Sequence, residues 1–184
     1  SMELLFSQKG AFGKNPILST DGNFSIYDYK IKLNYAEIPI MLNYFELVLI
    51  KGHKDTRVKS GQSYDTITLA EIAQMAEVPN RLCKLDAPAL IASTYNAPDA
   101  RSHAAQRKHG CFHAFVLDVD EGNTSLKQLN QALSAICGNC ARIVYSTSSA
   151  TADAPKWRAI IPFKSPVTGQ QYEQLQQALF ASLQ

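Results

Sequence analysis

The feature that most constrains this chain is the run Phe112–Val119, FHAFVLDV, in which Asp118 is the only acidic or basic residue other than His113. A stretch this apolar and this short reads as a strand buried on both faces. Asp120, Glu121 and Gly122 break it. Thr124 or Ser125 then caps a helix from about Leu126 to Ile136. Leu126, Leu129, Leu133 and Ile136 recur there at spacings of three and four, which makes one apolar face. Gly138 and Asn139 are stop signals. Arg142–Ser146 (RIVYS) predicts a second strand, Thr147–Lys156 a polar loop, and Trp157–Phe163 (WRAIIPF) a third strand. Thr168 caps a last helix from about Gln170, with Tyr172, Leu175, Leu179 and Phe180 facing inward.

Strand, helix, strand, strand, helix is most of an RRM-like α+β unit, with helices on one face of a mainly antiparallel sheet. The first half is less patterned. Residues 1–30 read as loops with at most short strands, and residues 31–51 as one or two strands by their period-two alternation. Lys51–Asp65 is a loop or hairpin connection. Thr68 with Glu71 forms a capping box for a helix over Leu69–Ala76, which reads as a short surface helix; Thr-Leu-Ala-Glu-Ile-Ala also resembles the opening of a helix-turn-helix. Residues 80–110 read as irregular. The division expected is an N-terminal α/β lobe over 1–110 and the RRM-like half over 111–184.

Composition narrows the setting. A hydrophobic fraction of 46% is that of an ordinary globular domain, and no apolar stretch reaches the roughly 20 residues of a membrane span. The N-terminus lacks a basic region followed by an apolar run, so no signal peptide is expected. The net charge of +2 does not by itself point to nucleic acid. Local clustering is the exception: Arg101, Arg107 and Lys108, with His103 and His109, form a basic segment that either contacts nucleic acid or is a solvated loop. Of the four cysteines, Cys137 and Cys140 make one C-x-x-C. A zinc site needs two further ligands, for which only Cys111 with His109 and His113 offers a source, so free thiols in a reducing cytoplasm are the simpler expectation.

The chemistry lies in the second half. Asp118 and Asp120 stand at i and i+2, which places both carboxylates on one face of a strand, while Val119 points the other way, into the core. Two adjacent carboxylates repel, and a hard divalent cation such as Mg²⁺ or Mn²⁺ relieves that repulsion, with nucleotide phosphates completing its shell. The hydroxyl-rich loop Tyr145-Ser-Thr-Ser-Ser-Ala-Thr151 can hold phosphate oxygens through hydroxyls and main-chain N–H groups. Arg158, on the next strand, can bind phosphate bidentately or form a structural salt bridge. Trp157 alternates with it and is expected to face the core.

FVLDVDEG resembles the first motif of primase–polymerase domains in phage and plasmid replication proteins, members of the archaeo-eukaryotic primase superfamily: an apolar strand ending in D-x-D. YSTSSATADAPKWRAIIPF resembles their second motif region, which runs from a hydroxyl-rich strand end through Lys/Arg-aromatic-Arg to an apolar strand ending in Pro. The resemblance covers about residues 111–175. It implies a DNA or RNA primase–polymerase nucleotidyltransferase of a mobile element, acting in the cytoplasm on nucleoside triphosphates and a single-stranded DNA template, with a fused or partner helicase. Asp118 and Asp120 would carry Mg²⁺ or Mn²⁺ and act with Arg158 in catalysis. Ser148, Ser149, Lys156 and Arg158 would meet the nucleotide. Two departures matter. The family's second-motif histidine falls at Ala150, whose methyl group donates no hydrogen bond, and its third carboxylate lies on a strand beyond Gln184, which suggests a fragment with weakened or absent catalysis.

Three rival readings stand beside this one. A non-catalytic nucleic-acid-binding module of a replication initiator fits the RRM-like order and the basic segment. A dehalogenase-type phosphatase would use DVDEGNT as its nucleophile loop but needs a large domain after it. A structural or protein-interaction domain would bind neither metal nor nucleotide.

Overall fold

The computed structural model describes residues 45–75, 82–138 and 140–182. The expectations for residues 1–44 lie outside this range. Among the described residues the elements run β1 (Leu47–Ile50), β2 (Asp65–Ile67), α1 (Leu69–Met75), β3 (Ala89–Ile91), α2 (His103–His109), β4 (Cys111–Val119), α3 (Leu126–Cys137), β5 (Ile143–Ser146), β6 (Trp157–Thr168) and α4 (Gly169–Ser182). The protein is thus a mixed α+β chain with two small antiparallel sheets, ordered β2-β1-β3 and β4-β6-β5.

The second sheet follows from its sequence. β4 is buried from Phe112 through Leu117, as a strand with almost no polar residues must be. Both β4 and β5 pair antiparallel with β6, so they run parallel to each other on either side of it. The α3 crossover joins them, which is a split β-α-β arrangement. Ser125 and Gln128 form the capping box that starts α3. Thr168 and Gln171 do the same for α4, each donating a backbone N–H to the other's side-chain oxygen at 2.9 and 3.3 Å. Pro162 has no N–H to donate, and it lies past the part of β6 that pairs with β5, where a proline is more readily accommodated. Among the described residues β5 stops pairing with β6 at Ile160, and the register against β4 shifts just beyond Pro162.

The two sheets meet along one seam. Residues just after β3 cross to β4: His113 N–H donates to Ala92 O at 2.9 Å and Thr94 N–H to Cys111 O at 3.0 Å. Ser93, fully buried, accepts the backbone N–H groups of Cys111 and Tyr95 on its hydroxyl. His113 is buried at this seam and stacked on Phe45 at 3.7 Å between ring centroids. Contacts therefore cross residue 110 freely. α2 also packs on α4, where Arg107 pairs with Glu173 and Gly169 N–H donates to Gly110 O. Gly169 lies so close to the Gln106 and Arg107 carbonyls that a side chain there would collide with backbone.

Four expectations need correction. Residues 80–110 are not wholly irregular, because they hold β3 and α2. Both elements are too short to carry a periodic signature, three and seven residues respectively. Ile136 is exposed, not buried, so the inward stripe of α3 ends at Leu133. Leu175 is exposed as well, and Gln176 takes the buried place beside Tyr172 on α4. Finally, Cys137 and Cys140 are not free thiols but a disulfide. Gly138 adopts a left-handed φ of 62° after the last turn of α3, and the Cα atoms of the two cysteines stand 5.6 Å apart. Cys83 and Cys111 are free. The expected capping box of α1 is present, with Thr68 and Glu71 exchanging hydrogen bonds; Leu69, Ile72 and Ala73 are buried, and the expected end at Ala76 lies outside the described residues. No helix among the described residues is long and apolar enough to cross a membrane.

Two predictions follow from this packing. Leu133→Ala should cost about 2–5 kcal/mol, as a large-to-small core change does. Ile136→Ala, one turn along on the exposed side, should cost less than about 1 kcal/mol in the same urea titration. The second prediction concerns pH. Burial holds the His113 imidazole below its ordinary pKa. The unfolded chain therefore binds the proton more readily, and stability falls as pH drops below about 6.5. The His113→Asn variant should lose that part of the decline, read as a smaller difference in denaturation midpoint between pH 7.5 and pH 5.5.

Candidate metal and nucleotide site

β4 and β5 end, and β6 begins, at the same edge of the second sheet. Val119, Trp157 and Ser146 form the last paired row. One row inward, Asp118 lies directly opposite Arg158, and Arg158 directly opposite Tyr145. Residues opposed in register share a face, so these three side chains form a single line across the strands. The two segments that carry the sequence motifs thus meet in space.

The contact between them is an ion pair. Arg158 Nε donates to Asp118 Oδ1 at 2.6 Å, and its second nitrogen, Nη2, to Oδ2 at 2.8 Å. This is the bidentate fork that a planar guanidinium makes with a carboxylate. Both side chains are nearly inaccessible, at 2% and 6% exposed for Arg158 and Asp118. Burial opposes the charge on Arg158, but Tyr145 and Asp118 outweigh it and hold the guanidinium above its ordinary pKa. Burial likewise pushes the Tyr145 hydroxyl up, against the pull of its hydrogen bond with Arg158. From α4, Tyr172 accepts the Val116 N–H at 3.1 Å and lies near enough for both Asp118 and Arg158 to act on its hydroxyl.

The other residues singled out from sequence are placed as follows. Asp120 falls one residue beyond β4 and is exposed. The chain turns away through Gly122 and Asn123, both at positive φ. Trp157 is buried as expected, and its indole N–H donates to Thr124 O at 2.6 Å, which ties the turn after Asp120 to the start of β6. The loop between β5 and β6 is a closed hairpin: Thr147 N–H donates to Lys156 O, Ala150 N–H to Thr147 O and Thr151 N–H to Ala154 O. Ser149 is exposed, and Ser148, Ala150 and Lys156 are half-buried. Away from this edge, Arg101 donates to the His53 and Asp55 carbonyls and so pins the β1–β2 loop. Arg107 is engaged by Glu173, and Lys108 is exposed on α2. These three are therefore not gathered with the aspartates.

Two features were missed in the sequence. Tyr145 was visible as a motif residue but not as the third member of the buried row. Thr147 is only 2% exposed, and its hydroxyl has no hydrogen-bond partner. Alternation along β5 places it on the Tyr145 side, opposite Lys156. Period-two spacing from Tyr145 was the available signal.

A divalent cation needs oxygen ligands, and Mg²⁺ commonly takes one or two protein carboxylates with phosphates and water. Asp118 and Asp120 are of the right kind and number for that share. Among the described residues no group of three or more His, Cys, Asp or Glu side chains is gathered as a metal site. Each Asp118 oxygen already accepts one hydrogen bond from Arg158, and each keeps a further lone pair for a cation.

The ion pair can be tested by itself. Asp118→Leu and Arg158→Met should each cost about 3–5 kcal/mol, since each strands a buried charge. The combined variant should lose less than either single one. Simple additivity of the two losses in urea denaturation would mean that the side chains do not depend on each other.

No protein-family model matches the chain, and neither curated proteins nor solved structures include a match to it.

Proposed function

We propose that the edge of the second sheet binds a nucleoside triphosphate together with Mg²⁺ or Mn²⁺, as a primase–polymerase-type nucleotidyltransferase site in nucleic-acid replication. The observation that supports this reading is the row itself. Two motifs far apart in sequence meet in register, with a bidentate carboxylate–guanidinium contact between them. Two flanking turns leave from the same edge, one carrying Asp120 and the other Ser148, Ser149 and Lys156.

Each residue then has a definite task. Asp118 and Asp120 hold the cation. The bound cation would supply charge neutralisation of the phosphates and activation of an attacking hydroxyl. Arg158 takes a phosphate oxygen pair in place of the Asp118 carboxylate, with Tyr145 steadying the guanidinium. Ser148, Ser149 and Lys156 meet the outer phosphates, and the unpartnered Thr147 hydroxyl is a further donor on that side. Ala150 supplies no donor where the resembling family has histidine, so transition-state charge is stabilised less here.

The exchange of partners is reciprocal. Metal alone would leave Arg158 as a buried cation without its carboxylate. Nucleotide alone would leave Asp118 as a buried anion. Together they pair both charges again, so binding is expected only when metal and nucleotide are both present.

A second reading is favoured by one observation, the ion pair already formed between Asp118 and Arg158. If that pair stays closed, the sheet is a non-catalytic nucleic-acid-binding module. Its contacts would be to the phosphate backbone, with Lys108 as an exposed contributor.

Calorimetry separates the two. Mn²⁺ with a nucleoside triphosphate should give binding that neither ligand gives alone, and Asp120→Asn should weaken it at least about tenfold. Asp120 is exposed, so the variant should keep the fold, which circular dichroism checks. Metal-independent binding of a single-stranded oligonucleotide, falling steeply with salt, would favour the second reading. Absence of both kinds of binding would remove both.

A further inference from the structure

We propose that Cys137 and Cys140 are an exchangeable dithiol–disulfide couple at the end of α3, a modification site open to reductants of the dithiol class. The two sulfurs are bonded across a separation of three residues. A ring this small removes the least freedom from the unfolded chain, so the bond adds less stability than one closing a long loop. Nor is it needed to hold the helix end in place. Gly138 N–H donates to Ser134 O at 2.9 Å. Arg142, itself buried, donates to the Asn130 side chain at 3.2 Å, to Ser134 Oγ at 3.0 Å and to Gly138 O at 3.4 Å. These contacts fasten α3 to the start of β5 without sulfur.

The bond is also within reach. Both cysteines are half-exposed, and Ile136 and Gly138 beside them are exposed. A thiolate can therefore approach in the folded state, and accessible disulfides are the ones that exchange. The reductant's thiolate attacks one sulfur, forms a mixed disulfide and releases the other cysteine as a thiolate that takes up a proton. The reductant's second thiol then displaces the remaining cysteine. Two protein thiols and one oxidised reductant result. Because β5 begins just beyond Arg142 and carries Tyr145, the couple lies at the base of the strand that supports the buried row.

The test uses the intact protein equilibrated with dithiothreitol at graded ratios of reduced to oxidised form, without denaturant. After acid quenching, alkylation and peptide mapping score each cysteine. Cys137 and Cys140 are expected to label together, in proportion to the ratio, and to return to the disulfide on oxidation. The circular dichroism spectrum should not change, and Cys83 should label throughout. Labelling of the pair only after denaturant is added would make the bond a locked structural one and overturn the proposal. Pair labelling that persists at fully oxidising ratios would overturn it equally, since no couple would then exist.

Discussion

The ion pair between Asp118 and Arg158 is the constraint on which the second sheet depends. It joins residues 40 apart in sequence, in a region where neither side chain is more than 6% exposed. A charge in such a place is tolerated only when it is fully paired. That requirement fixes more than one contact. A shift of β6 by one residue against β4 would set Asp118 beside Ala159 or Trp157 and turn Arg158 to the other face. The apolar pairs Val116–Ile160 and Leu117–Ala159 would tolerate a slip far better than the charged pair would. The register is therefore specified by its one costly row, and the Trp157 indole bond to Thr124 reinforces it from the opposite side.

Much of this half was legible in the sequence because its signals are long or chemically distinctive. β4 is a nine-residue strand with a nearly unbroken apolar run. The boxes at Ser125 and Thr168 mark helix starts through side chains only three residues apart, so no tertiary information is needed. The inward faces of the helices were less secure. Apolar spacing gives a stripe but not which edge of it meets the sheet, and so Ile136 and Leu175 fall on the apolar spacing yet face solvent. The first half is harder for a different reason. β2 and β3 have three residues each, and their pairing is decided by partners distant in the chain. The loop between β1 and β2 is held by Arg57, which bonds Asp55, Asp65 and the Ser63 carbonyl, a network that no local pattern announces.

The candidate site was legible as a list of residues and not as an arrangement. Alternation placed Asp118 and Asp120 on one side, and Arg158 opposite Trp157 in direction. It could not say that Asp118 and Arg158 would be neighbours, because strand order and register come from the whole sheet. With that neighbour relation the electrostatics change. Two carboxylates at i and i+2 suggest an uncompensated negative pair. In the fold, one of them is already neutralised, and only Asp120 presents its charge to solvent. Alternation from Tyr145 puts Thr147 on the same side, but its burial is not legible, since a hydroxyl in a Ser/Thr-rich loop looks exposed until the hairpin closes around it.

This arrangement sets stability and ligand binding against each other at one point. The closed pair contributes to the fold because each charge solves the other's desolvation. On the proposed function, a ligand that takes Asp118 or Arg158 from its partner must undo that solution, and a lone ion repays only half of it. A cation bound with a phosphate carries both signs, so under the proposal it replaces the two partners at once and keeps the row neutral. Small ions of one sign would then be discriminated against without any steric gate. Substituting Arg158 with a neutral residue does not simply free Asp118 for metal, because it also removes the cation that lets the carboxylate be buried while ionised. Tyr145 fits the proposed exchange for the same reason: its hydroxyl, held beside the guanidinium, carries no charge of its own that the exchange would have to compensate.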